Sequence, residues 1–229
     1  MKKRTIVSIV AASIVLPAGA LAFPFLYSWH DLADGNPGTP KGRAGAGGIY
    51  GTGGATDYGI TCANCHIKGQ GLIGATITPA PAFTKINGVD AYKPGQQYTV
   101  TVAMTGEHRG LNQMMNNLNG MGLTIEDQGG KPKGVFASDT SPPVTSAACP
   151  AVAPNPLPVT GTTYVYGDCH GVLYIPRPNG TQWTFNWTAP AAGSGQLTVF
   201  YGVVDGDANG KSSLDDDTKM VTQKLVEGP

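Results

Sequence analysis

Cys62-Ala63-Asn64-Cys65-His66 concentrates more reactive chemistry than any other stretch of this chain. Two thiols three positions apart, followed at once by an imidazole, fit C-x-x-C-H, the attachment pattern for c-type haem. Each thiol can form a thioether to one vinyl group, and the adjoining imidazole then reaches the iron from the proximal side. Covalent attachment keeps such a cofactor on a chain too small or too loosely packed to hold it by burial. Three other readings compete for the same residues. A thioredoxin-like redox pair wants a βαβ setting, whereas the flanks here are Gly-rich and loop-like. A zinc site needs two more ligands at suitable spacing, and only Cys149 and Cys169 remain, twenty positions apart. A plain disulfide between Cys62 and Cys65 leaves His66 without a role. The expectation is one haem c on Cys62 and Cys65, with His66 as the proximal iron ligand.

The sixth iron position is open to several residues: His30, His108 and His170, with Met104, Met114, Met115, Met121 and Met220. A His partner lowers the potential and a Met partner raises it. Met104 falls on the apolar face of a predicted strand, where a core role is favoured. His108, Met114, Met115 and Met121 fall in an excursion from Gly106 to Gly122 that is rich in Gly and Asn and poor in strand-forming residues. A Met-lined satellite cluster in a compact loop is one reading of that excursion. Docking onto haem is the other. His108 is the first choice for the distal ligand, because neutral imidazole is a common ligand and a poor core residue.

Two further groups of residues carry chemistry. Cys149 and Cys169 are left over, and in an oxidising compartment they are expected to pair. Closing that loop of about 20 residues adds roughly 3 kcal/mol in the chain-entropy picture. Asp205, Asp207, Asn209 and Asp216 fit positions 1, 3, 5 and 12 of a calcium loop, with Gly210 at 6. Asp at position 12 reaches less far than the usual Glu, and the preceding segment reads as a strand and not a helix. A solvated hairpin loop is the competing reading, since Asp-Gly and Asn-Gly are ordinary turn formers.

The surroundings must position these groups. The chain has 229 residues, of which 13% are charged, with 33 Gly and 18 Pro. That composition argues against long helices and coiled coils and suits a turn-rich β protein. The 15 basic and 15 acidic residues cancel, and no basic stripe exists, so nucleic acid is not an expected partner. Residues 1–22 read as a secretory signal: Lys2, Lys3 and Arg4, an apolar run from Thr5 to Leu16, then Ala20-Leu21-Ala22 as the cleavage site. The alternative is an uncleaved anchor, since apolar residues continue through Phe23-Pro24-Phe25-Leu26-Tyr27. Only in that case is the membrane a partner. Export places the protein in the periplasm, at the cell surface or outside.

After the signal, residues 23–78 are a Gly-rich lead-in and haem-attachment segment, and residues 79–229 a β domain. Tyr98, Val100, Val102 and Met104 alternate with Thr99, Thr101 and Ala103, and Trp183, Phe185 and Trp187 alternate with Thr184, Asn186 and Thr188. Leu197 to Val204 is a denser apolar run, as in a strand covered on both sides. Turn signals at Lys93-Pro94-Gly95, Asp127-Gln128-Gly129-Gly130, Pro178-Asn179-Gly180 and Ala192-Gly193-Ser194-Gly195 separate the runs. The expectation is mainly β: an antiparallel immunoglobulin-like sandwich of roughly seven strands. Gly110 to Gly120 is the one weak helical candidate.

Two stretches resemble the reeler-like β-sandwich domain of secreted proteins: Tyr92-Lys-Pro-Gly-Gln-Gln-Tyr-Thr-Val-Thr-Val102, and the run from Trp183 to Tyr201. The second is similar to that family's W-x-A-P-x-x-G-x-G signature, at Trp187, Ala189, Pro190, Gly193 and Gly195. Gly120-Met121-Gly122 stands where the family usually has a Gly-Phe pair. Asp168-Cys169-His170-Gly171 stands where many members have Thr-His-Thr, so the resemblance implies a structural role for His170. It covers about residues 79–207, and some bacterial exported relatives place a Cys-His segment just before this domain. The resemblance implies fold and an extracytoplasmic setting, and function must be argued from the site. The site reads as an electron carrier that serves redox partner proteins or an extracellular acceptor. No paired carboxylates, Ser-His-Asp order or phosphate loop suggests turnover, so an enzyme is not expected, with a small haem peroxidase as a rival. A surface-binding or adhesion module with a structural or sensory haem is the other alternative.

Overall fold

The computed structural model of the chain describes residues 51–64, 66, 72–106, 118–138, 157–159, 163–165, 171–178, 180–206 and 216–229. Among these are twelve strands: β1 (Ile73–Ala80), β2 (Thr84–Ile86), β3 (Val89–Tyr92), β4 (Gln97–Gly106), β5 (Leu118–Asp127), β6 (Val135–Ser138), β7 (Leu157–Val159), β8 (Thr163–Val165), β9 (Gly171–Pro178), β10 (Gln182–Thr188), β11 (Leu197–Gly206) and β12 (Asp217–Glu227). They form two sheets, one of four strands in the order β1-β4-β10-β6 and one of eight in the order β2-β3-β12-β11-β5-β9-β8-β7. Every pairing is antiparallel except β3 with β12. The protein is a β-sandwich, as the alternating pattern implies, with more strands than the seven expected. β2, β7 and β8 have three residues each, too few for alternation to register in the sequence.

Two strands of alternating pattern supply the aromatic half of the core. Tyr98, Val100, Val102 and Met104 of β4 and Trp183, Phe185 and Trp187 of β10 are all buried. Trp187 stacks on Tyr98 with centroids 5.8 Å apart and meets Tyr92 edge-on at 6.0 Å. The opposing face comes from Met121, Leu123 and Ile125 of β5 and Leu197, Val199, Tyr201 and Val203 of β11, all in the same apolar cluster. β11 is buried along most of its length, as its dense apolar run predicts.

Met121 and the end of the helical candidate are corrections. Met121 is 1% exposed and pairs with Val203 inside the sheet, so it belongs to the core and not to a loop excursion. Leu118 to Gly120 is strand. Pairing with β11 overrides the weak strand preference of Asn119-Gly120-Met121-Gly122, because strand preference is chiefly a matter of packing context.

The resembling signature has a physical role at the sheet ends. Trp187 Nε1 donates to Lys133 O at 3.1 Å. Gly193 and Gly195 both sit at positive φ, where only glycine turns without strain, and their N–H groups donate to the Glu227 carboxylate at 2.8 and 2.6 Å. Those bonds hold the Glu227 carboxyl below the usual carboxylate range. Tyr92 Oη donates to Gly195 O at 2.8 Å; burial first, and then the Glu227 charge, pushes its pKa to about 12. β1 begins at Ile73, before residue 79. Among the described residues no helix is long and apolar enough to cross a membrane.

Candidate functional site

On β11 the odd-numbered residues face the core, so Phe200, Gly202 and Val204 point outward. Register carries the same outer face to Gly122 and Thr124 of β5 and to Thr218, Met220 and Thr222 of β12. The segment Gly51–His66 lies on that outer face. It is a small closed loop: Thr52 and Thr61 form an antiparallel bridge, Gly53 N donates to Ile60 O at 2.9 Å, and Cys62 N donates to Gly51 O at 2.7 Å.

Buried acids fix the loop to the sheet. Thr52 donates through its backbone N–H and its hydroxyl to Asp57 Oδ2, at 2.6 and 2.5 Å. The same hydroxyl meets Thr124 Oγ1 at 2.9 Å. Glu126, 1% exposed on β5, accepts from Ala55 N at 2.8 Å and Thr56 N at 3.0 Å. These two N–H groups open the 3-10 turn Ala55–Asp57, whose first donors have no partner within the turn. Asp57 and Glu126 escaped the sequence reading. The signal lay in carboxylates set in otherwise apolar or Gly-rich surroundings, without a spacing rule to connect them.

A second 3-10 turn, Cys62–Asn64, carries the first cysteine. Thr61 donates from its N–H and hydroxyl to Asn64 Oδ1 at 2.8 and 2.7 Å, which caps the turn. His66 N donates to Cys62 O at 2.9 Å, a helical i to i−4 bond that puts the thiol and the imidazole on one turn. Gly202 gives the motif its seat on the sheet. A Cβ at that position would meet Met220 Sδ at 2.5 Å and Cys62 Sγ at 3.4 Å. The thiol and a thioether therefore share the space that glycine leaves.

The imidazole is held from the far end of the chain. His66 Nδ1 lies 2.5 Å from Asp216 Oδ2, across 150 residues of sequence, with side-chain exposures of 13% and 4%. In the tautomer that carries its proton on Nδ1, the ring donates to the carboxylate and its lone pair is on Nε2. Metal-ligating histidines are held in this way, by a carboxylate on the other ring nitrogen. Cys62, His66, Asp216 and Met220 thus form one cluster on the outer sheet face. These donors suit an iron porphyrin: a thiol for the thioether, an oriented imidazole for the metal and an apolar thioether beside the thiol.

Of the other sequence-derived site residues, Cys65, His108, Cys149, Cys169, Asp207 and Asn209 lie outside the described residues, as do His30, Met114, Met115, His170 and the signal at 1–22. Asp205 is fully buried in β11 beside Asp217 of β12. Asp216 is engaged with His66. Among the described residues no three His, Cys, Asp or Glu side chains converge as a metal-binding group. The segment that holds His108 follows β4 of the four-stranded sheet at Gly106 and precedes β5 of the eight-stranded sheet at Leu118, opposite Gly206. Asp205, the residue before Gly206, pairs with Asp217, so Leu118 falls two strand spacings, about 10 Å, from the Asp216 end of β12.

No protein-family model matches the chain, and no curated protein matches it. Solved structures similar to it include the reeler domain of human F-spondin, at 17% identity and a TM-score of 0.41, covering 70% of this chain and 91% of that one. A second F-spondin structure, of the Reelin-N domain, is 18% identical at a TM-score of 0.40, covering 71% of this chain and 93% of that one. The T6 backbone pilin of Streptococcus pyogenes is 8% identical at a TM-score of 0.31, covering 67% of this chain and 35% of that one.

Proposed function

We propose that this chain is an exported electron carrier with one covalently bound haem c, seated on the outer face of a β-sandwich. Cys62 and Cys65 hold the group by thioether bonds and His66 ligates its iron. The observation that carries this reading is the Asp216 carboxylate on His66 Nδ1, which orients the imidazole one helical turn from Cys62. A disulfide or a thioredoxin-like pair gives the oriented imidazole no purpose. The bound haem would supply a one-electron couple whose potential is set by axial ligation, hydrogen bonding and burial. The chain's own residues seat, orient and partly shield it. Redox partner proteins or an extracellular acceptor receive the electron, in the periplasm or outside the cell.

His108, between β4 and β5 in sequence, is the proposed distal ligand. Exchange of His108 for Ala should then convert a six-coordinate low-spin spectrum to a high-spin or CO-binding one. A sulfur-to-iron charge-transfer band in the far red would move the assignment to a methionine, with Met220 beside Cys62 the first to test. The primary experiment is a pyridine haemochrome spectrum and intact mass of the purified mature protein. One haem per chain, lost in Cys62→Ala or Cys65→Ala, is expected. A mature protein with no added haem ends the electron-carrier reading.

A further inference from the structure

We infer that Asp216 is a positioning residue that gives His66 anionic character and thereby holds the iron couple at low potential. This rests on the electron-carrier reading. The two side chains meet at 2.5 Å, with the carboxylate 4% and the imidazole 13% exposed. A carboxylate accepting an N–H in so water-poor a place forms a stronger bond than the same pair in water. The Nδ1 proton is drawn toward Asp216, and electron density on the imidazole rises at Nε2. A more basic ligand favours the ferric ion over the ferrous one, since the ferric ion carries one more positive charge. The nearby negative charge of Asp216 acts in the same direction. Orientation is the second effect. With Nδ1 tied down, the ring is held in one tautomer and one plane, as second-sphere carboxylates do for metal-bound histidines.

Local sequence spacing puts Asp216 at the end of a candidate calcium loop. The fold instead brings it to His66, because β12 starts at the next residue and runs beside β11, on whose outer face Cys62 is seated. The residue therefore couples the last strand of the sheet to the redox centre.

The experiment is a spectroelectrochemical titration of the holoprotein and of the Asp216→Asn and Asp216→Glu variants, each first checked for covalent haem. Asn keeps an oxygen to accept from Nδ1 and removes the charge; Glu keeps the charge. At a fixed poise the ferrous-to-ferric ratio of Asp216→Asn should rise at least tenfold, equivalent to about 59 mV for a one-electron couple. Asp216→Glu should move it less. A haem-loaded Asp216→Asn whose ratio stays within twofold of the natural protein overturns the inference and leaves the electron-carrier reading intact. A natural protein with no haem removes both. Where Asp216→Asn fails to mature, proton NMR of the reduced natural holoprotein decides. A far-downfield, slowly exchanging His66 Nδ1 proton supports the inference, and an ordinary, fast-exchanging one overturns it.

Discussion

Glu126 offers the sharpest test of how the motif segment is attached. Its carboxylate accepts the N–H groups of Ala55 and Thr56 at 2.8 and 3.0 Å, with Thr124 Oγ1 at 3.4 Å from Oε1. Hydrogen bonds to a charged group contribute about 1.5–3 kcal/mol each, so Glu126→Ala should cost the segment about 3–6 kcal/mol. Glu126→Gln keeps the shape and one acceptor but turns an amide donor toward one of the two N–H groups, and should cost about half of that. The loss is local, because Glu126 pairs with Thr198 on the outer face of the sheet and lies against Gly54 of the segment. Hydrogen exchange read by mass spectrometry should show amides of 52–62 exchanging about 100-fold faster or more in Glu126→Ala, at 1.4 kcal/mol per tenfold. Amides of β4, β10 and β11 should keep their protection. Unchanged exchange at 52–62 would refute the anchoring argument. Uniformly faster exchange across the sheets would show that Glu126 supports the whole fold instead.

Gly202→Val places a branched side chain where Met220 Sδ and Cys62 Sγ already sit, so it should destabilise by about 1–3 kcal/mol and lower the haem-to-protein ratio; full haem loading would contradict the seating argument. Tyr92 is neutral in the fold with its pKa raised to about 12, so its contribution to stability is complete below pH 10 and is lost as pH rises from 10 to 12. After solvent screening at the loop edge this amounts to about 1–2 kcal/mol, and urea midpoints of Tyr92→Phe should show a shallower alkaline decline. Cys149 and Cys169 should resist alkylation until reduced, and loss of the bond should cost about 2–5 kcal/mol; two freely reacting thiols would exclude the pairing.

Strands with a clean two-residue period were legible: β4 and β10 read directly from Tyr98 to Met104 and from Trp183 to Thr188. β12 was not, because its outer face carries Thr218, Met220, Thr222 and Lys224 while Lys219 and Gln223 interrupt the inner one. Cys62 and His66 were legible as neighbours because they fall within five residues, and a backbone bond puts them on one turn. Asp216 was legible as a carboxylate, but its contact with His66 was not, since nothing local encodes a contact 150 residues away. Asp57 and Glu126 failed for the same reason. Their value lies in satisfying backbone donors of a turn that only tertiary packing brings to the sheet.

β12 lies between β3 and β11 and makes the one parallel pairing, with β3. Until that strand is present, the large sheet exists as two unjoined pieces, the hairpin of β2 and β3 and the ribbon that begins at β11. A chain that emerges from its N-terminus onward therefore displays Cys62 and His66 long before Asp216 and Met220 exist to receive them. Docking of the final strand joins the two pieces and supplies Asp216 and Met220 to a segment that β5 already holds at Thr52, Ala55 and Thr56.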